Sequence, residues 1–185
     1  MVKPARLPGK EPAVEPVPSN PIVHAVIEIP MGSQNKYEHD EKTGLFRLDR
    51  VLYSPVHYPA DYGYIPATLA EDGDPLDILV LITVPTFSGC LVPARIIGAM
   101  AMEDDKGRDT KILAVCDVDP RFAHVQSLEQ AGQHTLREVE HFFTVYKDLE
   151  GKSSHTLGWR GLEFAVEELA RAREAHDRSR SKQSQ

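Results

Sequence analysis

Hydrophobic and polar positions alternate along the first two thirds of this 185-residue chain, and then the period changes. Apolar runs at 22–29, 45–52, 76–84, 91–102 and 110–116 are short, rich in Val, Ile and Leu, and bounded by Pro, Gly and Asp. That pattern predicts strands. Another strand begins near Lys36-Tyr37-Glu38, and Glu41-Lys42-Thr43-Gly44 turns it back onto 45–52 as a hairpin. Five or six β segments at short spacing predict a small barrel or sandwich. From about residue 135 the period is helical. Thr135 and Glu138 read as a capping box, and Leu136, Val139, Phe143 and Tyr146 fall on one face. Leu162, Ala165, Val166 and Leu169 mark a second amphipathic helix. The fold class is α+β, a β-barrel with C-terminal helices packed on it.

Charges interrupt the strand alternation on the apolar side. Arg50 shares parity with Phe46, Leu48 and Leu52. Lys111 shares it with Leu113 and Val115, and Glu28 with Ile22 and Val26. Lys36 and Glu38 share a face by their spacing of two. A buried charge is costly without a partner. Several of both signs imply a polar cavity inside the barrel or at its rim.

The densest chemistry is Asp72-Gly73-Asp74-Pro75-Leu76-Asp77, three carboxylates in six residues, running straight into the apolar stretch 78–82. Like charges this close repel unless a positive group sits among them. A hard divalent cation with oxygen ligands meets that need. Glu103-Asp104-Asp105 and Asp109 repeat the arrangement beside Lys111. An EF-hand is excluded, since positions six and twelve from Asp72 hold Asp77 and Thr83. No phosphate-binding glycine loop, HExxH zinc motif or G-x-S-x-G elbow occurs. Tyr58, Tyr62 and Tyr64 read either as core or as hydroxyls lining a phosphate pocket.

The net charge of −7 argues against a nucleic-acid binder. Cys90 and Cys116 have no ligand spacing and read as buried thiols. The absence of an early apolar run, or of any approaching about 20 residues, predicts a cytoplasmic protein that neither carries a signal peptide nor spans a membrane. Residues 1–20, rich in Pro, Lys and Glu, read as a flexible arm. One domain is expected over 21–175, with a flexible tail at 176–185.

At this level of detail the chain resembles the family I soluble inorganic pyrophosphatases. The resemblance rests on the Asp-x-Asp-Pro-x-Asp turn at 72–77, and on Ile27-Glu28-Ile29-Pro30, Lys36-Tyr37-Glu38, Leu48-Asp49-Arg50 and Tyr58-Pro59 through Ile65. It continues through Asp104 to Asp109, Lys111, and His141-Phe142-Phe143 through Leu149, all in family order over roughly 22–160. It implies an OB-like five-stranded barrel with flanking helices. It implies that Asp72, Asp77 and Asp109 hold the tightest metal, with Asp104, Glu28 and Glu38 holding more. Asp74 would be the general base. Lys36, Arg50, Lys111, Tyr146 and Lys147 would bind phosphates, Tyr62 would hydrogen-bond near the nucleophile, and Tyr58 would support it. The substrate would be pyrophosphate, with Mg²⁺ (about three to four per site) as cofactor, and the assembly a homo-oligomer, commonly a hexamer. Rival readings are a metal-dependent phosphoesterase for organic phosphates, a non-catalytic OB-type binding module and a structural Ca²⁺ site. Seven acids against four bases leave the implied site at −3 before substrate binds.

Overall fold

The structure, a computed structural model, describes residues 20–40, 42–104 and 107–183, without the side chains of Asp104 and Gln183. The expected arm therefore lies outside the description except for its last residue, as do Glu41, Asp105, Lys106 and the final two residues.

The strands are β1 (Ile22–Ile29), β2 (Asn35–Asp40), β3 (Leu45–Val51), β4 (Asp61–Tyr64), β5 (Asp77–Leu81), β6 (Leu91–Asp104), β7 (Gly107–Arg108), β8 (Lys111–Cys116) and β9 (Ser154–Arg160). The helices are α1 (Leu128–Ala131), α2 (Gln133–Val145) and α3 (Leu162–Gln183). The ring runs β1–β4–β5–β8–β6 and closes by β6 pairing with β1, which makes a five-stranded barrel. Closure removes the exposed sheet edges that invite aggregation. The long β6 extends beyond the ring, where β7 and β9 pair with it. With helices flanking it, this is an OB-like α+β fold.

One pairing sets the chemistry. β5 and β8 run parallel, with Asp77 opposite Lys111. Their first residues therefore sit side by side, and the segments leading into them, 72–76 and 109–110, meet at one mouth. Both strands are buried on both faces. Ile78 and Val80 pack toward α3, with Ala165, Leu169 and Ala172, while Leu79 and Leu81 pack toward α2, with Val139, Phe142 and Phe143. Residues buried on both sides anchor the mouth firmly. Between β1 and β4 the backbones approach so closely that a Cβ on Gly63 would lie 1.9 Å from the Val26 carbonyl oxygen.

The structure differs from the sequence reading at several points. In β1 the buried residues are Val23, Ala25, Ile27 and Ile29, so Glu28 belongs to the partly exposed parity of Ile22 and Val26. The hairpin β2–β3 is a separate two-stranded sheet. Leu45, Leu48 and Val51 on it are at least half exposed, so its alternation marks no core face. The capping box is absent. α2 starts two residues earlier, after Gly132, whose φ of 93° breaks it from α1, and Thr135 lies inside the helix. β4 and β9 were not anticipated, and α3 continues into the stretch whose composition suggests a tail.

Candidate active site

A cleft of about 510 Å³ opens at the barrel mouth. It is lined by Glu28 from β1, Lys36, Glu38 and His39 from β2, Arg50 from β3, and Tyr62 and Tyr64 from β4. Asp72, Asp74, Pro75 and Asp77 reach it from the acidic turn, Asp109 and Lys111 from the start of β8, and Tyr146, Lys147 and Lys152 from the segment after α2. The fold thus gathers twelve expected site residues, separated by up to 119 positions, into one cavity. Asp104 ends β6, but its side chain lies outside the described residues. Tyr58 does not line the cleft. It is 2% exposed and packs its ring 5.5 Å from Tyr62 and 4.7 Å from Phe142.

Lys111 is the centre of the barrel half. It is 2% exposed. Its Nζ donates to Asp77 Oδ2 at 2.6 Å and to Asp109 Oδ1 at 2.8 Å. It also lies 5.4 Å and 5.2 Å from the ring centroids of Tyr62 and Phe143, within cation–π reach. Burial alone would drive the ammonium toward neutrality, but Asp77 and Asp109 outweigh it and hold the pKa well above the usual lysine value. Tyr62 donates to the same Asp77 oxygen at 2.6 Å. Burial, reinforced by the charges of Asp77 and Asp109, raises its own pKa well above 10, so the hydroxyl stays a donor. In the acidic turn the Asp74 N–H donates to Asp72 Oδ1 at 3.1 Å. Asp72 and Asp74 are both exposed to the cleft.

Glu28 faces the mouth from β1 and accepts the His39 backbone N–H at 2.8 Å. Burial pushes its pKa up to about 7; the His39 hydrogen bond and Lys36 oppose the rise, while Asp77 and Glu38 add to it. The hairpin half is a web of ion pairs. Lys36 meets Glu38 at 2.5 Å and Asp49 at 3.5 Å, and Arg47 meets Glu38 at 2.5 Å. Arg50 meets Asp49 at 2.7 Å and Glu150 at 2.8 Å. Burial works against the Arg50 charge, yet Glu150 and Asp49 prevail and raise its pKa.

The sequence reading missed His39, Lys152 and Glu150. His39 stacks on Tyr64, meets the Phe46 ring at a tilt, and hydrogen-bonds the Tyr64 hydroxyl through Nδ1 at 3.2 Å. Its place directly after Glu38 was the available signal. The other two follow the Tyr146-Lys147 helix end and carried none.

Among the described residues six carboxylates and five cations line this cleft, so that lining sums to about −1. Among the described residues no three His, Cys, Asp or Glu side chains form a ready metal cage, and Lys111 stands between Asp77 and Asp109. The donor set nevertheless suits a hard cation, since Asp72, Asp74, Asp77 and Asp109 offer only carboxylate oxygen.

Comparison with known proteins agrees in sequence and in shape. Residues 25–177 match the family model described as inorganic pyrophosphatase. An inorganic pyrophosphatase of Geobacillus stearothermophilus is 56% identical over 147 residues, covering 80% of this chain and 89% of that protein. One from Methanosarcina acetivorans is 50% identical over 148 residues, covering 80% and 88%. The crystal structure of inorganic pyrophosphatase from Thermus thermophilus superposes with a TM-score of 0.83 at 44% identity, over 90% of this chain and 97% of the other.

Proposed function

The chain belongs to the inorganic pyrophosphatase family, and from that premise we propose that its cleft hydrolyses pyrophosphate to two orthophosphates. The observation that carries the reading is the ammonium of Lys111 clasped by Asp77 and Asp109 at the paired starts of β5 and β8. It stands in a cleft where carboxylates slightly outnumber cations. A polyphosphate anion calls for both kinds of charge: cations grip its oxygens, and carboxylates draw divalent metal that neutralises the remainder.

Pyrophosphate adds about −3 to −4, so the cleft and its substrate together require on the order of two to three divalent ions. We assign Asp72, Asp77 and Asp109 as the principal metal ligands, with Glu28, Glu38 and Asp104 as weaker ones, and Mg²⁺ as the metal. When bound, the metal neutralises phosphate charge and lowers the pKa of water. Asp74, open to the cleft on the acidic turn, takes the proton from the attacking water. Lys36, Arg50, Lys111, Tyr146 and Lys147 hold the phosphoryl oxygens and neutralise the leaving phosphate. Tyr62 orients Asp77 through its hydroxyl, and Tyr58 backs the Tyr62 ring.

The test is phosphate release from pyrophosphate with and without Mg²⁺, beside a nucleoside triphosphate and an oligonucleotide gel shift. Rapid release from pyrophosphate alone, abolished by chelation, is expected. Preference for the triphosphate would move the reading to an organic phosphoesterase, and binding without release to an OB-type module. The same reading carries a cytoplasmic location and a hexamer. The half-exposed Ile22, Leu91 and Phe87 are apolar surface for subunit contact, and light scattering measures the mass.

A further inference from the structure

Behind Arg50 stands a carboxylate that does not itself line the cleft. Glu150 lies on the one-turn helix Asp148–Glu150, 100 residues along the chain from Arg50, and its side chain is 6% exposed. Each of its oxygens meets a different cation. Oε1 accepts from Arg50 Nε at 2.8 Å, and Oε2 lies 3.5 Å from Lys152 Nζ. Both cations line the cleft. The turn is held in its own right, because the Glu150 N–H donates to the Lys147 carbonyl at 2.9 Å. Backbone and side chain together therefore tie Glu150 to three of the five cations that line the cleft among the described residues.

A carboxylate this buried needs partners, and the geometry of the pairing is specific. A guanidinium is a planar fork of five N–H donors. Glu150 occupies Nε, and Asp49 occupies Nη1 at 2.7 Å. Two bonds to different edges of the fork fix its plane, and the other donors remain for an oxyanion. Lysine at position 50 could not be held this way, since its ammonium has no plane to fix.

We propose that Glu150 is a positioning residue for substrate binding: it sets the plane of Arg50 and holds Lys152 at the rim, so that both meet a phosphate group already oriented. This rests on the reading above that the cleft takes pyrophosphate. Glu150 acts through Arg50. Without it the guanidinium regains rotamer freedom that binding must then remove. Asp74, on the acidic turn, keeps its environment. The loss therefore falls on KM rather than on kcat.

The experiment uses the full chain and the variants Glu150→Ala, Glu150→Gln, Arg50→Ala and the double alanine. Wild-type phosphate release comes first; its failure would sink the functional reading and, with it, the role assigned to Glu150, whereas the variants below judge Glu150 alone. In an active background, Glu150→Ala raises KM about tenfold with kcat within about threefold. Glu150→Gln, which keeps an oxygen for Nε, recovers most of that loss. Calorimetric titration with methylene bisphosphonate shows the same weakening without turnover. Once Arg50 is alanine, adding Glu150→Ala shifts KM by less than about twofold, because the group it acts through is gone. Full additivity in the double variant overturns the proposal, and so does an unchanged KM in a folded Glu150→Ala protein. Should the alanine variant fail to fold, Glu150→Gln with and without Arg50 carries the same test.

Discussion

The mouth of the barrel and the β2–β3 hairpin both bring charges of each sign to the cleft, yet they hold them differently. At the mouth, Lys111 is 2% exposed, and of its partners Asp77 begins β5 while Asp109 leads into β8, both strands buried on both faces. On the hairpin the outer pair is wetter; Arg47 is 56% exposed, and the two strands form a sheet of their own. Burial strengthens electrostatics and raises the penalty for any unpaired group. Solvent screens the outer pair Arg47–Glu38 and makes it dispensable for stability, while Arg50 and Glu150 are sheltered at 22% and 6% exposure. On the proposed reading, the mouth offers the fixed geometry that metal and nucleophile would need, and the hairpin offers its cations to a phosphate group that arrives and leaves.

Four substitutions put this contrast to the test. Asp74→Asn should lower kcat by about 10²–10⁴ while metal affinity and unfolding midpoint stay near wild type, because the side chain is exposed. An active variant would remove it as the base. Asp77→Ala should cost about 3 kcal/mol in urea unfolding, since it takes one partner from a buried ammonium. It should also weaken Mg²⁺ binding by titration. A loss no greater than that of a hairpin pair would erase the distinction drawn here. Glu28 gives an intermediate case. Its carboxyl ionises at 4.5 in its ordinary state and at about 7 when folded. Between those values the folded chain holds a proton that the unfolded chain has released, so stability falls as pH rises from about 4.5 through 7. About 3 kcal/mol should be lost in metal-free protein, and Glu28→Gln should flatten the slope. Arg47→Ala should change stability by less than about 0.5 kcal/mol.

The parts of this molecule legible in its sequence are those fixed locally. The acidic turn shows because three carboxylates fall within six residues around Gly73 and Pro75, and β5 and β8 show because burial on both faces makes them continuous apolar runs. β4 did not, as its four residues Asp61–Tyr64 offer no run long enough to carry a period. β9 reads Ser-His-Thr-Leu-Gly-Trp-Arg, and only its pairing with β6 makes it a strand. The apparent capping box failed because Gly132, three residues before Thr135, had already started the helix. Glu28 was assigned to the right cavity by the wrong parity, since Ile22 is exposed and the odd residues of β1 are buried. Glu150 was invisible for a different reason. Its importance lies in a partner 100 positions away, and nothing in the local pattern names that partner.

Gly63 separates the two tyrosines of β4, and its missing methyl group is what lets β1 and β4 lie against one another. An alanine there would act as a wedge, driving its Cβ into the Val26 carbonyl and prising the two strands apart. Tyr62 and Tyr64, on either side, would be carried off with it, and the hydroxyl clasp on Asp77 would open. One hydrogen atom in place of a carbon thus calibrates the spacing of a pocket whose chemistry it never joins.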